Sequence, residues 1–134
     1  MGVLARLKLL LDTHIWIWSI QDPTKLGSGT FRRLSDPSND LWLSPISTWE
    51  ALTLNYKGKI HINGDLSEWL ERATSGTQEA SLTHEIVRAA RQLDMHQDPA
   101  DRFLVATAQV LDLTLVTADR TLLGLGTIRV FGND

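Results

Sequence analysis

The stretch KLLLDTHIWIW at residues 8–18 decides the fold of this chain, because an apolar run ends there abruptly in an acid. Residues 7–11 are apolar without alternation, which is typical of a strand buried on both faces in a parallel sheet covered by helices. Asp12 stands where such a strand would end. From Thr13 the pattern changes and predicts a short helix or turn, packed back on the sheet and ending by Asp22-Pro23.

The remaining chain alternates short apolar runs with amphipathic segments. Further strands are predicted over residues 40–44, 113–117 and 127–131. Helices are predicted over residues 27–34, from 45 or 47 to 56, over 65–73, from 81 or 83 to 93, and over 98–111 and 120–125. Gly58 is expected to end the second of these helices in a left-handed conformation. Strands that alternate with helices favour an α/β domain with a mainly parallel sheet and right-handed crossovers.

The composition is that of one compact domain spanning residues 1–134, because 43% of the 134 residues are hydrophobic and no linker or repeat is visible. The absence of Cys excludes a disulfide scaffold, a Cys-ligated zinc site and thiol catalysis. The apolar run near the N-terminus is too short for a signal peptide or a membrane span, so we expect a cytoplasmic protein with no membrane partner. The formal charge of −3 gives no general attraction to nucleic acid, so a polyanion would need a local basic rim or bound cations.

Four acids lie at the edges of apolar segments: Asp12, Glu50, Asp101 and Asp119. Asp12 and Asp119 follow predicted strands, and the functional crevice of an open parallel sheet lies outside the carboxyl ends of its strands. Glu50 lies near the start of the helix that leaves the second strand, and Asp101 lies on the inward stripe of a buried helix. We therefore expect the four carboxylates to converge at one edge of the sheet.

Crowded carboxylates repel one another, and burial raises this cost, so they either take up protons or recruit cations. Oxygen ligands without Cys or clustered His favour Mg²⁺ or Mn²⁺ over zinc. Ions of this kind commonly complete their coordination with substrate phosphate and can activate water for attack on it. The predicted site therefore favours hydrolysis of phosphodiester bonds.

Each acid also has a purely structural interpretation. Asp12, Asp98 and Asp119 could cap the segments that follow them, with Asp98 placed before Pro99 as a typical helix N-cap. Glu50 lies three residues after Ser47, which is the spacing of a capping box. What favours the functional interpretation is topology, because all the candidates fall at one end of one sheet.

Several neighbours of the acids could support such a site. Thr13, Asp98 and Thr117 are candidates for hydrogen bonding to the carboxylates or to water around them. Arg102, Arg120 and Lys57 are candidate RNA contacts, although salt bridges or a solvated surface role are open alternatives.

The histidines and tryptophans near these acids are predicted to have structural roles. His14 is interpreted as an orienting or packing group, and His96 as a loop residue. Trp16, Trp18 and Trp49 have helical or near-helical spacing, which favours core packing over stacking on bases.

With these residues in hand, the sequence resembles the PIN-domain ribonucleases, and most closely the VapC-like toxins of prokaryotic toxin-antitoxin pairs. The resemblance covers essentially the whole chain and rests on four segments in order: LLLDTHIWIW, SPISTWEALTLNYKGKI, DPADRFLVATA and LTLVTADRTL. It implies a PIN-like three-layer α/β/α sandwich and a metal site formed by Asp12, Glu50, Asp101 and Asp119, with Thr117 and Asp98 as accompanying positions. It also implies Mg²⁺ or Mn²⁺, endonucleolytic cleavage of RNA, a homodimer and a cognate antitoxin.

Three alternatives from other classes remain open. A receiver-type signalling module would use a strand-end Asp as phosphate acceptor, but it requires a late-strand Lys, and the segment after residue 117 offers Arg120 instead. A phosphatase with a nucleophilic Asp12 requires a second acid two residues on, where the sequence has His14. A non-catalytic PIN-like protein that binds a metal ion or RNA would keep the acids without cleaving its ligand.

Overall fold

The computed structural model describes residues 6–95 and 98–134. In this part of the chain, five parallel strands form one sheet covered by helices on both faces, which confirms the predicted α/β/α sandwich. The strands are β1 Lys8–Leu11, β2 Asp40–Leu43, β3 Gln78–Glu79, β4 Thr114–Thr117 and β5 Val130–Gly132. The helices are α1 Thr13–Gln21, α2 Ser28–Ser35, α3 Pro45–Tyr56, α4 Leu66–Thr74, α5 His84–Gln92, α6 Pro99–Leu111 and α7 Arg120–Leu123.

Strand β1 contributes to the two larger of the three hydrophobic clusters in the described residues. Leu9 and Leu11 face one cluster, which is completed by residues of α1, α3 and α4. Leu10 faces the other cluster, which is formed mainly by α6, β4 and α7. Since successive side chains of a strand point to opposite faces, an uninterrupted apolar run serves both clusters.

The strand order β3-β2-β1-β4-β5 places β1 beside both β2 and β4. The chain builds outward from β1 in one direction as far as β3 and then returns to add β4 on the other side. The order of the strands thus reverses between β1 and β4, and in sheets of this type ligands bind outside the carboxyl ends of the strands at such a point. Asp12 and Thr117 stand at those two ends.

The helix and strand boundaries agree with the prediction to within a few residues, and Gly58 has the expected left-handed backbone with φ of 74°. The two-residue strand β3 and a single 3-10 turn at Pro23–Lys25 were not predicted. Neither has a hydrophobic pattern, because β3 is exposed and the turn has no buried residue. Among the described helices, none combines the length and the apolar character that crossing a membrane requires.

Gly27 begins α2 beneath the last residues of the chain. Its N–H donates to the Asn133 side chain over 2.8 Å, and the Asp134 carbonyl oxygen accepts from Thr30 N–H over 3.1 Å. A Cβ at position 27 would lie 2.1 Å from the Asp134 carbonyl carbon. We expect Gly27→Ala to lower the free energy of unfolding by about 1–3 kcal/mol, because the backbone segments must separate.

Urea denaturation of Gly27→Ala beside Gly76→Ala checks this expectation. A Cβ at position 76 would meet no atom within 4 Å, so that control should change stability by no more than about 0.5 kcal/mol. Equal stability of the two variants would contradict the proposed clash.

Candidate active site

Asp12 connects β1 to α1 and is held from two sides. Its carboxylate accepts a hydrogen bond from Thr13 N–H over 2.7 Å and another from the Thr117 hydroxyl over 2.6 Å. The Thr117 hydroxyl in turn accepts from Asp119 N–H over 3.0 Å. Burial raises the pKa of the Asp12 carboxyl above its usual value, although both hydrogen bonds oppose this effect. The result is a carboxylate that is fixed in position and poorly hydrated.

Glu50 lies in the second turn of α3 and points toward α1. Its carboxylate accepts from the Thr13 hydroxyl, which also lies 3.0 Å from the Ser47 hydroxyl. The predicted capping box is therefore wrong, because the N-cap is Ser44, three residues before Ser47, and its side chain accepts from Ile46 N–H over 3.1 Å. That earlier start places Ser47 inside the helix and frees Glu50 to reach across to α1.

Burial is also the main cause that raises the pKa of Glu50. Its hydrogen bond from Thr13 lowers the pKa, and the negative charges of Asp12, Asp98 and Asp101 raise it. This electrostatic coupling links acids from three separate segments of the chain.

Asp98 and Asp101 belong to the start of α6. The Asp98 side chain accepts from Asp101 N–H over 3.2 Å, which confirms the predicted N-cap in front of Pro99. Asp119 likewise caps α7 by accepting from Thr121 N–H over 2.8 Å, and its negative charge contributes to the raised pKa of Asp12. The structural and functional interpretations of these acids are thus compatible, because a capping carboxylate uses only part of its acceptor capacity.

One open cavity of about 450 Å³ joins these segments. Its lining includes all four acids that the sequence singled out, together with further side chains of α1 and of the α6 N-terminus. The lining residues are Asp12, Thr13, His14, Trp18, Glu50, Asp98, Asp101, Ala118 and Asp119.

The donor set of this cavity fits a hard divalent cation, because it consists of carboxylate oxygens, two of them on partly desolvated groups. The acids are nevertheless less tightly clustered than the sequence suggested. Across residues 6–95 and 98–134, no three acidic or imidazole groups lie close enough together to hold one ion. Glu50 is turned to the Thr13 hydroxyl, and Asp98 and Asp119 cap their helices.

The predicted RNA contacts differ in their surroundings. Arg102 does not present its guanidinium to the cavity; it donates to the carbonyl oxygens of Ala90, Leu93 and Met95 over 2.9, 3.1 and 2.9 Å. This favours a structural role for Arg102, which holds the end of α5 against α6, over the predicted contact with RNA. Arg120 and Lys57 are exposed. His96 lies outside the described residues.

The aromatic side chains divide into three environments. Trp16 is 1% exposed and belongs to the core, as predicted. Trp49 is 65% exposed, so the prediction of core packing is wrong for it. Trp18 packs partly against the core but also lines the cavity, and His14 beside it is exposed. Helical spacing alone did not separate these cases, because it does not say which neighbours the tertiary fold gives to each indole.

The fold and the position of these residues define a class of protein. The family model of the PIN domain matches residues 9–126, and the chain therefore belongs to the PIN domain family. This match runs from β1 past α7, so it includes all four singled-out acids.

Individual relatives agree with this assignment. The chain is similar to Ribonuclease VapC22 of Mycobacterium tuberculosis, with 28% identity over 116 residues, covering 85% of this chain and 88% of the relative. A chain of the crystal structure of VapBC2 from Rickettsia felis, bound to a DNA fragment from their promoter, superposes with a TM-score of 0.73 at 16% identity, covering 96% and 100% of the two chains. For DNA-bound VapBC from Salmonella typhimurium the TM-score is 0.71 at 19% identity, with coverage of 96% and 99%. At these identities the two structures establish the shared fold.

Proposed function

We propose that this protein is a metal-dependent endoribonuclease that hydrolyses RNA phosphodiester bonds, and that it acts as the toxin of a toxin-antitoxin pair. The observation that carries the proposal is the cavity at the reversal point between β1 and β4, which collects Asp12, Glu50, Asp101 and Asp119 from four segments. The similarity to a protein named as a ribonuclease supports the choice of RNA as substrate.

Asp12, Asp101 and Glu50 would hold the main Mg²⁺ or Mn²⁺ ion, and Asp119 would assist with a second ion or with the attacking water. When bound, such an ion supplies positive charge to the phosphate and to the oxygen that attacks it. The residues of the chain contribute by positioning the carboxylates. Thr117 and the Thr13 amide orient the Asp12 carboxylate, while the Thr13 hydroxyl holds Glu50 until a cation competes for it.

Exposed Arg120 and Lys57 are the remaining candidates for contact with RNA phosphates. For partners, we propose a cognate antitoxin protein, since structures similar to this chain include VapBC complexes and a toxin-antitoxin complex from Klebsiella pneumoniae. A homodimer is part of the same proposal.

Incubation of the purified protein with single-stranded RNA, with Mg²⁺, with Mn²⁺ and with chelator, tests the activity. We expect internal cuts that require the divalent ion. RNA that binds but stays intact under all metal conditions would overturn the nuclease and favour a non-catalytic RNA-binding PIN domain. Sequencing of cellular RNA ends after brief induction would then identify the target of an active enzyme.

Thr117 provides a finer test of how Asp12 is positioned. We expect Thr117→Val to lower the cleavage rate roughly ten- to a hundred-fold, because Asp12 loses a hydrogen bond and Asp119 N–H loses its acceptor. Thr117→Ser keeps the hydroxyl and should keep most of the activity. Thr114→Val, which alters the same strand at its other end, is the matched control, and a loss as large as that of Thr117→Val would argue against the positioning role.

A further inference from the structure

We propose that Trp18, with Lys25 above its ring and His14 beside it, forms a subsite that binds one unpaired nucleotide of RNA at the edge of the acidic cavity. The choice of RNA rests on the proposed function. The subsite itself rests on three side chains that neither the family match nor the named relatives assign to any role.

Trp18 is positioned by α1, the helix that Asp12 begins. Part of the side chain packs on the apolar cluster under α1, and the rest lines the same cavity as the acids. Trp16 shows by contrast what a core tryptophan of this helix does, since it is buried and its indole N–H donates to the Ala73 carbonyl oxygen over 3.0 Å. The helix thus commits one indole to the core and presents the other to the cavity.

His14 lies one helical turn before Trp18 and also lines the cavity. The ring centroids of the two side chains are 5.9 Å apart, with 52° between their planes. The two tilted rings thus place aromatic surface at the edge of the acidic cavity. Every nucleobase has a flat face that such a surface can stack against, without hydrogen-bonded selection of sequence.

Lys25 supplies positive charge at this surface. It ends the 3-10 turn after α1, and its ammonium nitrogen lies 5.9 Å from the centroid of the Trp18 ring. This is near the outer limit of a cation–π contact, about 6 Å, so the ammonium is held weakly and can turn to a phosphate. Lys25 is exposed and takes part in none of the ion pairs found among the described residues.

The electrostatics of the cavity explain why a cation is needed there. Five carboxylates line it, and the chain as a whole carries a formal charge of −3. A polyanion approaching this cavity is repelled unless its neighbouring phosphates find positive charge. An aromatic platform with a lysine beside it is the combination that binds single-stranded nucleic acid in many proteins. It would hold the nucleotide next to the scissile bond while the acids act on that bond.

Binding of a fluorescein-labelled single-stranded RNA of about ten nucleotides, measured by anisotropy, tests the subsite. All proteins carry Asp12→Asn, and the intactness of the probe is checked by gel. We expect Trp18→Leu to raise Kd roughly ten-fold, and Trp18→Phe to raise it less because a ring remains. Lys25→Gln should weaken binding and reduce the slope of log Kd against log salt by about 0.7, the value for one phosphate of a single strand.

Two controls and one altered probe make the result specific. Phe31→Leu changes an exposed aromatic residue that lines a different cavity, and Lys8→Gln changes a lysine at the opposite end of β1, so both should leave Kd unchanged. On an abasic ribose-phosphate chain, Trp18→Leu should have no effect, since no base is present to stack.

The proposal is overturned if Trp18→Leu unfolds at the same temperature as its parent and binds RNA with the same Kd. It is also overturned if Trp18→Leu loses as much affinity for the abasic chain as it loses for RNA. Unchanged binding by Lys25→Gln would overturn the role of the ammonium even if Trp18→Leu does not fold. Because binding is measured without cleavage, the failure of the nuclease proposal would leave this test intact. If the natural sequence cleaves RNA while Trp18→Leu leaves Kd unchanged, the subsite is refuted and the nuclease proposal stands.

Discussion

Asp12→Asn should abolish RNA cleavage. The substitution keeps the size of the side chain but removes a carboxylate whose pKa is raised by burial, and with it a ligand for the proposed cation. Charge stabilisation by such an ion is worth several kcal/mol, which corresponds to a loss of activity of roughly a thousand-fold or more. The measurement is the rate of RNA cleavage in Mg²⁺. A variant that cuts at the parental rate would contradict the placement of Asp12 at the centre of the site.

The same substitution should make the metal-free protein more stable near neutral pH. Burial raises the pKa of Asp12 in the folded protein above its ordinary value of 3.8, so its ionisation opposes folding. The contribution of Asp12 to the free energy of unfolding is fully present at pH values below its pKa in the unfolded chain. It is lost as the pH rises through the higher pKa that Asp12 has in the folded protein. In the variant, the side-chain amide oxygen could still accept from Thr13 N–H, while the amide nitrogen faces the Thr117 hydroxyl, which can accept.

Thermal unfolding in chelator at a series of pH values checks this sign. The melting temperature of Asp12→Asn should exceed that of the parent increasingly as the pH rises above about 4, the ordinary range of an Asp carboxyl. Asp36→Asn is the matched control, since hydrogen bonds from Ser38 lower the pKa of exposed Asp36. The contribution of Asp36 is present above 3.8 and lost as the pH falls, so its removal should not stabilise the protein at neutral pH.

Arg102→Gln should have the largest effect on stability. The guanidinium donates to three carbonyl oxygens at the end of α5 and just beyond it, and a glutamine amide can reach at most some of them. Because these part-buried carbonyl groups lose a charged donor, the substitution should lower the free energy of unfolding by about 3 kcal/mol in total. Since Arg102 lies in the first turn of α6, we also expect Asp98 and Asp101 to lose their defined placement and cleavage to fall.

Urea denaturation with linear extrapolation measures the first effect. Arg120→Gln removes the same charge from an exposed position on α7 and should change the free energy of unfolding by no more than about 0.5 kcal/mol. If both substitutions cost the same, the three carbonyl contacts contribute little. If Arg120→Gln instead weakens only RNA binding, the two arginines have the separate roles that their surroundings suggest.

The sequence predicted the sheet and the edge where the acids meet because both depend on local patterns. An apolar run that ends in Asp12, and another that ends before Asp119, mark strand ends without reference to the rest of the fold. The choice between roles for Glu50 and Arg102 could not be made in this way. Each depends on a partner that is distant in sequence or on the backbone of a loop, namely Thr13 for Glu50 and the carbonyls beyond α5 for Arg102.

The tryptophans show the same limit. Trp16 and Trp18 are two residues apart on one helix, so periodicity assigns them to different faces but does not say what each face meets. The structure places Trp16 against Ala73 of α4 and Trp18 at the cavity edge, and Trp49 is exposed. Amphipathic spacing predicts burial only where the fold supplies a neighbour.

The hydrogen bond between Asp12 and Thr117 joins residues 105 positions apart, across the two central strands of the sheet. During synthesis on the ribosome, β1 therefore has no β4 to pair with until residues 114–117 have emerged, and contacts of such long range form late. A nascent chain that has emerged only as far as α5 lacks the Thr117 hydroxyl that supports Asp12, and it lacks Asp101 and Asp119. A protein with the proposed activity thus cannot assemble its acidic site on the ribosome until β4 and α7 have been made.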